Sequence, residues 1–464
     1  MSDRRALLRK QIQATSKEAF ILNEMKRLGF WPEDQEQPSL PEQIIQEETA
    51  LNKELRDLLK QQRLYKDRER LLRKLRKERM KASREKQKAN RAKREADRIA
   101  RAEAWQERQK KDIVYLGEAV SGGLNDTEND LKLLQTLGLP VFESAEELAT
   151  LLEVDIARLR FLAYNRKVSK VSHYKRFYMA KKSGGKRLIS APMPMLKQTQ
   201  YHILNKILYK LTIQDTAYGF VPNRSIVGNA EKHLKKSVVI NMDLRNFFPT
   251  ITYKRVKGLF KSLGYAQKYA TILALLCTEP ETEEVKMDGQ RYFVATGERH
   301  LPQGAPTSPV ITNLICRTFD KRLLGAAEKL GFTFTRYADD LTFSCLNTAK
   351  PNVGKLLWIA HKIVKEEGFV MHPDKLRIMH KGRHQEVTGI VVNEKLNVNR
   401  KTLKNFRALL FQIEKDGFKG KNWNNSTNLP ECIRGYANFV GMIHPTKGKV
   451  LKTQVRRILA KYPF

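Results

Sequence analysis

Cysteine is scarce in this 464-residue chain: Cys277, Cys316, Cys345 and Cys432 lie far apart and form no CxxC pair. Such spacing builds neither a disulfide framework nor a zinc site, and a reducing cytoplasm is the expected setting. Long apolar runs are absent as well. No stretch of 18 or more apolar residues occurs, and Met1-Ser2-Asp3-Arg4-Arg5 leads into a charged, helix-like segment in place of a signal-peptide core. No membrane partner is therefore expected, and the chain should stay where it is made. Acidic residues are outnumbered, 50 Asp and Glu against 87 Lys and Arg, which leaves a formal net charge of +37 and a pI near 10.0. That balance speaks against an ordinary small-molecule enzyme and for a polyanionic partner, nucleic acid ahead of an anionic membrane surface. With 41% hydrophobic residues the chain can still fill the cores of two or three domains.

Glycine and proline are both missing from Glu42 to Leu116, where most residues are good helix formers. One long helix, or two in tandem, is expected, reaching roughly 110 Å at 1.5 Å per residue. Between Arg56 and Lys111 stand 23 Lys or Arg against 9 Asp or Glu, a net of +14. Leu51, Leu55, Leu58, Leu59, Leu72 and Leu75 recur at spacings of three and four, so the first half can pack. Beyond Met80 the stripe thins to alanine, leaving a surface for solvent or for a nucleic-acid backbone.

Turn residues return at Gly117, Ser121, Gly122, Gly123, Asn125 and Asp126 and mark a boundary. Ser144-Ala145-Glu146-Glu147 then forms a capping box ahead of Leu148, Leu151 and Leu152, and Asp155 can cap a helix carrying Ile156, Leu159 and Leu162. The pair resembles a helix-turn-helix, but no basic recognition face follows, so a packing element is expected. Tyr174 to Met179 and Leu188 to Ala191 read as strands flanking Lys181-Lys182-Ser183-Gly184-Gly185-Lys186-Arg187. Cations on such a tip can fold over a triphosphate, although a generic basic turn fits equally well. Lys197 to Leu211 reads as an amphipathic helix.

The chemistry concentrates in carboxylates. In Phe334-Thr335-Arg336-Tyr337-Ala338-Asp339-Asp340-Leu341-Thr342-Phe343, two apolar-alternating runs meet at adjacent acids, which reads as a hairpin. Phe332, Phe334 and Arg336 share one strand face, and Thr333, Thr335 and Tyr337 the other. Neighbouring carboxylates repel, and a hard divalent cation relieves them, whereas a plain polar turn would use Asp for its backbone preference alone. Val238 to Asp243 is a buried strand that ends in a third carboxylate, followed by Phe247-Phe248-Pro249. Three such groups can hold two metals roughly 3.5 to 4 Å apart, the arrangement of nucleotidyl transfer. Leu301-Pro302-Gln303-Gly304-Ala305-Pro306-Thr307-Ser308-Pro309 is a loop able to lie beneath a base pair, with Ser308 as the expected N-cap of a helix from Val310 to Leu323. A helix from Val353 to Gly368, the segment Pro373-Asp374-Lys375 and a second hairpin at Val387 to Val392 follow, and from Lys401 the chain is helical and basic. No internal repeat is found.

In this order the motifs resemble those of reverse transcriptases. More narrowly, Asn229-Ala230-Glu231-Lys232-His233 looks like the NAxxH signature, and Val387-Thr388-Gly389 like the VTG motif, of bacterial retron reverse transcriptases. The likeness runs from about Asp130 to the C-terminus and leaves the basic extension outside. It implies an α+β right-hand polymerase of fingers, palm and thumb, to which the composition adds a long basic helical N-terminal extension. The expected division is extension 1–116, small helical linker 117–165, fingers and palm 166–394, and thumb 395–464. It further implies that Asp243, Asp339 and Asp340, with the Leu244 carbonyl, hold two Mg2+ ions. Lys182 and Arg187 would grip the triphosphate, Phe248 would exclude a ribose 2'-OH, and Gln303 and Gly304 would touch nucleotide and template. Lys375 would protonate pyrophosphate, although Leu376 follows it where the family often has threonine. Asn229, His233, Val387, Thr388 and Gly389 would serve RNA and template binding, with a polar network holding a loop as the plainer reading of Asn229 and His233. The implied partners are dNTPs, a structured non-coding RNA, the DNA made from it and an effector protein in phage defence, with an oligomer allowed. Two alternatives are a group II intron-like or other defence-associated reverse transcriptase and an RNA-binding scaffold with little catalysis.

Overall fold

The computed structural model describes residues 8–10, 12–13, 15–31, 38–181, 184–424, 426 and 428–462. Lys182 and Ser183 of the basic turn, and Met1 to Arg5, lie outside the described residues. The chain divides into two compact units, Met1–Trp105 and Gln106–Phe464.

The first unit is helical. Ser16 caps α1 (Lys17–Arg27), and a Ser39–Glu42 capping box starts α2 (Leu40–Lys66). The two helices meet around buried Leu22, with Ser16 Oγ 2.9 Å from Thr49 Oγ1 and Lys26 paired to Glu42. Asp67 then leaves the helical region and its carboxylate accepts from the Arg70 nitrogen at 3.1 Å, so it caps α3 (Arg68–Lys111). Two helices in tandem are thus present, but the expected packing of their leucines is not. Leu51, Leu55, Leu58, Leu59, Leu72 and Leu75 are all exposed.

The second unit begins before the expected border at Gly117: Ile113 and Leu116 are fully buried in its core. Three short helices, α4 (Leu131–Thr136), α5 (Ala145–Leu151) and α6 (Ile156–Ala163), are capped by Asp130, Ser144 and Asp155 and bury Leu134, Leu148, Leu159 and Leu162 in that core. They are packing elements, as expected. Glu147 reaches the Glu143 nitrogen at 2.8 Å in place of the Ser144 nitrogen that a strict box requires.

After β1 (Val168–Ser169), β2 (Tyr174–Ala180) and β3 (Lys186–Pro192) form the basic hairpin, in register from Tyr174↔Pro192 to Ala180↔Lys186. The next helix, α7 (Pro194–Lys206), stops short of the expected Leu211 because Ile207 leaves helical geometry and a 3-10 turn follows. Beyond α8 (Ile226–Glu231) comes β4 (Val238–Asp243), whose β-branched run is buried on both faces. Helices α9 (Tyr253–Ser262) and α10 (Gln267–Cys277) and a long ribbon, β5 (Glu279–Met287) with β6 (Gln290–His300), lead to the 301–309 loop. The N-cap there is Thr307, not Ser308, which is already the first residue of α11 (Ser308–Ile315). A break at Cys316 separates α12 (Arg317–Lys329). Strands β7 (Phe332–Tyr337) and β8 (Asp340–Cys345), helix α13 (Val353–Glu366) and β9 (Arg377–His380) complete a four-stranded antiparallel sheet of order β7-β8-β4-β9.

A second core forms where the tiny hairpin β10 (Glu386–Val387) and β11 (Ile390–Val391) meets α14 (Arg400–Asp416), α15 (Leu429–Ile443) and α16 (Pro445–Lys461). Val239 of β4 and Ala230 of α8 contribute to it, which ties the last three helices to the sheet. Among the described residues no helix is long and apolar enough to cross a membrane.

Candidate active site

The register of the sheet gathers the acids. β4 and β8 pair from Val238↔Cys345 to Asp243↔Asp340, so two of the three carboxylates become cross-strand neighbours at one end of the sheet. The third sits in the two-residue turn Ala338-Asp339, where Ala338 takes a left-handed φ of +57° and the Asp339 carbonyl accepts from the Leu244 nitrogen at 3.0 Å. Asp243, Asp339 and Asp340 thus come to the same end of the sheet.

These groups strain against one another. Withdrawal from water, followed by the nearby Asp339 and Asp243 carboxylates, pushes the Asp340 carboxyl up to about 7, and burial likewise raises Asp339, with Lys375 and Arg187 opposing. By surface area Asp340 stays exposed, so when the cleft is wet the like-charge crowding is the part that endures. Lys375 lies in a 3-10 turn after α13, and its ammonium donates to both Asp243 oxygens at 2.9 Å. No three His, Cys, Asp or Glu side chains among the described residues are placed to close around a metal ion. The donor chemistry nevertheless fits one: three hard oxygen donors, two of them raised by burial and by neighbouring carboxylates, and a cation already seated on the third.

Other expected residues surround this end. Arg187 on β3 is close enough to stabilise the Asp339 charge. The Ser190 nitrogen donates to the Gln303 carbonyl at 2.8 Å, fixing the 301–309 loop to the basic hairpin. At Gly304, with φ of +131°, a Cβ would fall 2.9 Å from the Ser190 carbonyl oxygen, so the close approach itself requires glycine. Phe248 is half-buried between Phe220 and Phe247, at ring distances of 6.2 and 5.7 Å.

Asn229 and His233 are placed elsewhere. His233 is fully buried, with Nδ1 on Ser344 Oγ and Nε2 on Thr335 Oγ1, each at 2.7 Å, and burial pushes its pKa down to about 3. Asn229 is buried with neither amide atom bonded among the described residues. Neither side chain reaches the surface, and of the two His233 joins a polar network, between β7 and β8. Val387 is buried too, and Thr388 (φ +49°) and Gly389 (φ +85°) make the turn of the β10–β11 hairpin. A cavity of about 70 Å3 lined by Phe161, Tyr164, His173, Arg176, Phe293 and Arg299 contains none of the expected site residues. Two features escaped the sequence reading: the Lys375–Asp243 pair, and a fully buried Arg336 bound to Asp320. The second left a signal, since Arg336 shares a strand face with Phe332 and Phe334 and so had to be buried and paired.

Residues 179–409 match the profile of the reverse transcriptase (RNA-dependent DNA polymerase) family. Retron Mx162 reverse transcriptase of Myxococcus xanthus is 41% identical over 335 residues, 69% of this chain and 68% of that one. Retron Mx65 reverse transcriptase of the same organism is 41% identical over 290 residues, 62% and 67% of the two chains. Retron Ec86 reverse transcriptase of Escherichia coli is 32% identical over 332 residues, 71% of this chain and 93% of its own. Likeness of this order shows the family: the chain belongs to the retron reverse transcriptases, right-hand RNA-directed DNA polymerases.

Proposed function

We propose that the enzyme starts DNA synthesis from a 2'-OH of its own structured non-coding RNA and leaves a branched RNA–DNA hybrid. The observation that carries this reading is the pair of retron motifs, Asn229-Ala230 with His233 and Val387-Thr388-Gly389, in a chain whose three palm acids are intact. Asp243, Asp339, Asp340 and the Leu244 carbonyl would hold two Mg2+ ions, which when bound activate the attacking hydroxyl and neutralise the departing pyrophosphate. Everything else is work for the chain's own groups. Arg187, with Lys182, grips the triphosphate, and the 301–309 loop, anchored on Ser190, carries Gln303 and Gly304 against nucleotide and template. The Phe248 ring occupies the volume a 2'-OH of the incoming nucleotide needs. Lys375, once released from Asp243, gives a proton to the pyrophosphate oxygen. His233 binds no RNA itself in this reading; it joins β7 to β8 beneath the acids. The basic extension binds RNA backbone, and the enzyme works in the cytoplasm with an effector protein against phage.

The test is the nucleic acid that copurifies. It is sequenced and treated with a debranching enzyme, and a 2'-5' junction at one guanosine is the expected result. Linear DNA with an ordinary 3'-OH primer would turn the reading towards a group II intron-like enzyme.

A further inference from the structure

We propose that Arg336, Asp320 and Asn313 form a positioning device that locks the Ala338-Asp339 turn, with Asp340 after it, to the Phe247–Phe248 pair, so that the acids and the wall of the nucleotide site move as one body. The proposal rests on the reading of Asp339 and Asp340 as metal ligands and adds residues that touch neither metal nor nucleotide.

Arg336 and Asp320 are both fully buried. Nε and Nη2 take the two Asp320 oxygens at 2.7 Å each, which already neutralises the charge in a fork-to-fork pair. Neutralisation alone needs nothing more, yet Nη1 reaches two further oxygens: Asn313 Oδ1 at 3.0 Å and the Ala338 carbonyl at 3.2 Å. Ala338 is the left-handed residue of the acid-bearing turn, a conformation an alanine holds only when its surroundings fix it. The backbone on the far side tightens the hold. Asn313 donates to the Gly219 carbonyl at 2.9 Å, and Gly219 lies so close that a Cβ there would be 2.5 Å from the Ala338 nitrogen. The Arg336 nitrogen donates to Thr216 at 2.7 Å, and its carbonyl accepts from Tyr218 at 2.8 Å. The guanidinium also stands 5.9 Å from the centre of the Phe247 ring, which itself packs on Phe248. One side chain therefore touches the acid turn, the helix after the nucleotide loop and the aromatic wall.

The test replaces both charges at once, Arg336→Met with Asp320→Leu, because removing one alone strands a buried ion. The variant is expected to fold, with primer–template affinity within about threefold of wild type. Its Mn2+ midpoint, read by electron paramagnetic resonance without nucleotide, should rise about tenfold, and kcat should fall roughly 10- to 100-fold with the primer KM unchanged. A folded variant with wild-type Mn2+ binding and kcat overturns the proposal and leaves an ordinary core ion pair. If the double variant does not fold, Asn313→Leu, which keeps the ion pair, is measured in the same way; unchanged values there overturn it equally. Asp339→Asn with Asp340→Asn runs alongside. Synthesis surviving in that control removes the metal-site reading itself, whereas synthesis lost there but kept in the Arg336 variant removes only the device.

Discussion

Helix α3 and strand β4 are held by opposite means. In α3, 44 residues long, every described side chain is exposed save half-buried Leu71, and the helix stands on propensity and i,i+3 or i,i+4 pairs such as Arg73–Glu69 and Arg98–Glu95. In β4, six residues long, only Asn241 escapes full burial, and its neighbours on both sides fix it. Exposed pairs of that kind contribute a few tenths of a kcal/mol each, whereas each buried Val or Ile contributes about 1.5 to 3. Precision follows from the second kind of support. Acids that must sit within a fraction of an ångström of a reacting phosphate belong on β4 and β8, while a surface that meets a polyanion by charge alone can be a bare helix.

If that contrast is right, substitution at the sheet end abolishes chemistry and leaves binding. Asp339→Asn with Asp340→Asn is expected to lower DNA synthesis by at least about a thousandfold while RNA affinity stays within a few-fold. Both are measured on one preparation. Substantial synthesis by the double variant removes this metal site.

Next in size is the proposed nucleotide wall. Phe248 is half-buried and leans on Phe247 and Phe220, so Phe248→Ala opens space without unseating the sheet. The ratio of rNTP to dNTP incorporation should rise on the order of 100-fold. An unchanged ratio places the gate on another residue.

How much of this was legible in the sequence depends on which force sets each residue. Val238 to Asp243 and Phe332 to Cys345 announce themselves, because β-branched and aromatic alternation states both strand and buried face. The grouping of Asp243 with Asp340 required only that these strands be neighbours. His233 was harder. The spacing of Asn229 and His233 carries the family signature, but only the fold brings Thr335 and Ser344 to the two ring nitrogens, from residues about a hundred positions away. The Lys375–Asp243 contact is long-range in the same way. The exposed leucines of α2 and α3 mark the converse failure: spacing shows a face that can pack, not whether anything in the chain will cover it.

His233 offers a smaller test, on stability. Its folded pKa of about 3 lies below the ordinary 6.5 because burial disfavours the imidazolium. A group depressed in this way stabilises the fold fully above about pH 6.5, and that contribution drains away as pH falls towards 3, by about 1.4 kcal/mol per pH unit. His233→Gln keeps a donor and an acceptor but cannot titrate. In urea unfolding at pH 7, 5.5 and 4.5, the variant should start lower and lose less on acidification. Parallel pH slopes for the two proteins would mean that the buried ring is not neutral.

The smallest effect on catalysis is expected from removing the bare helix. The cut belongs after Trp105, not at the glycine boundary, because Ile113 and Leu116 are core residues of the polymerase unit and Asp112 pairs with buried Lys268 at 2.5 Å. Deletion of residues 1–105 should leave synthesis on a generic primed template within a few-fold. Binding of structured RNA is another matter. Lys77, Lys81, Arg84, Lys88, Arg91 and Arg94 recur at spacings of three and four along α3 and so share one broad face. Each phosphate they neutralise releases counterions, so the log–log slope of affinity against salt should flatten by about 0.7 to 0.9 for every phosphate that the truncated protein leaves unneutralised. The exposed leucines of α2 and the start of α3 provide a competing occupant. If Leu51, Leu55, Leu58 and Leu59 dock a second protein or a second copy of this chain, the RNA slope stays where it was and the mass of the purified particle falls on truncation. Slope, and mass taken on nuclease-treated protein and corrected for the 105 deleted residues, separate the two on full-length and truncated protein, since the first responds to charge on RNA and the second to a protein partner.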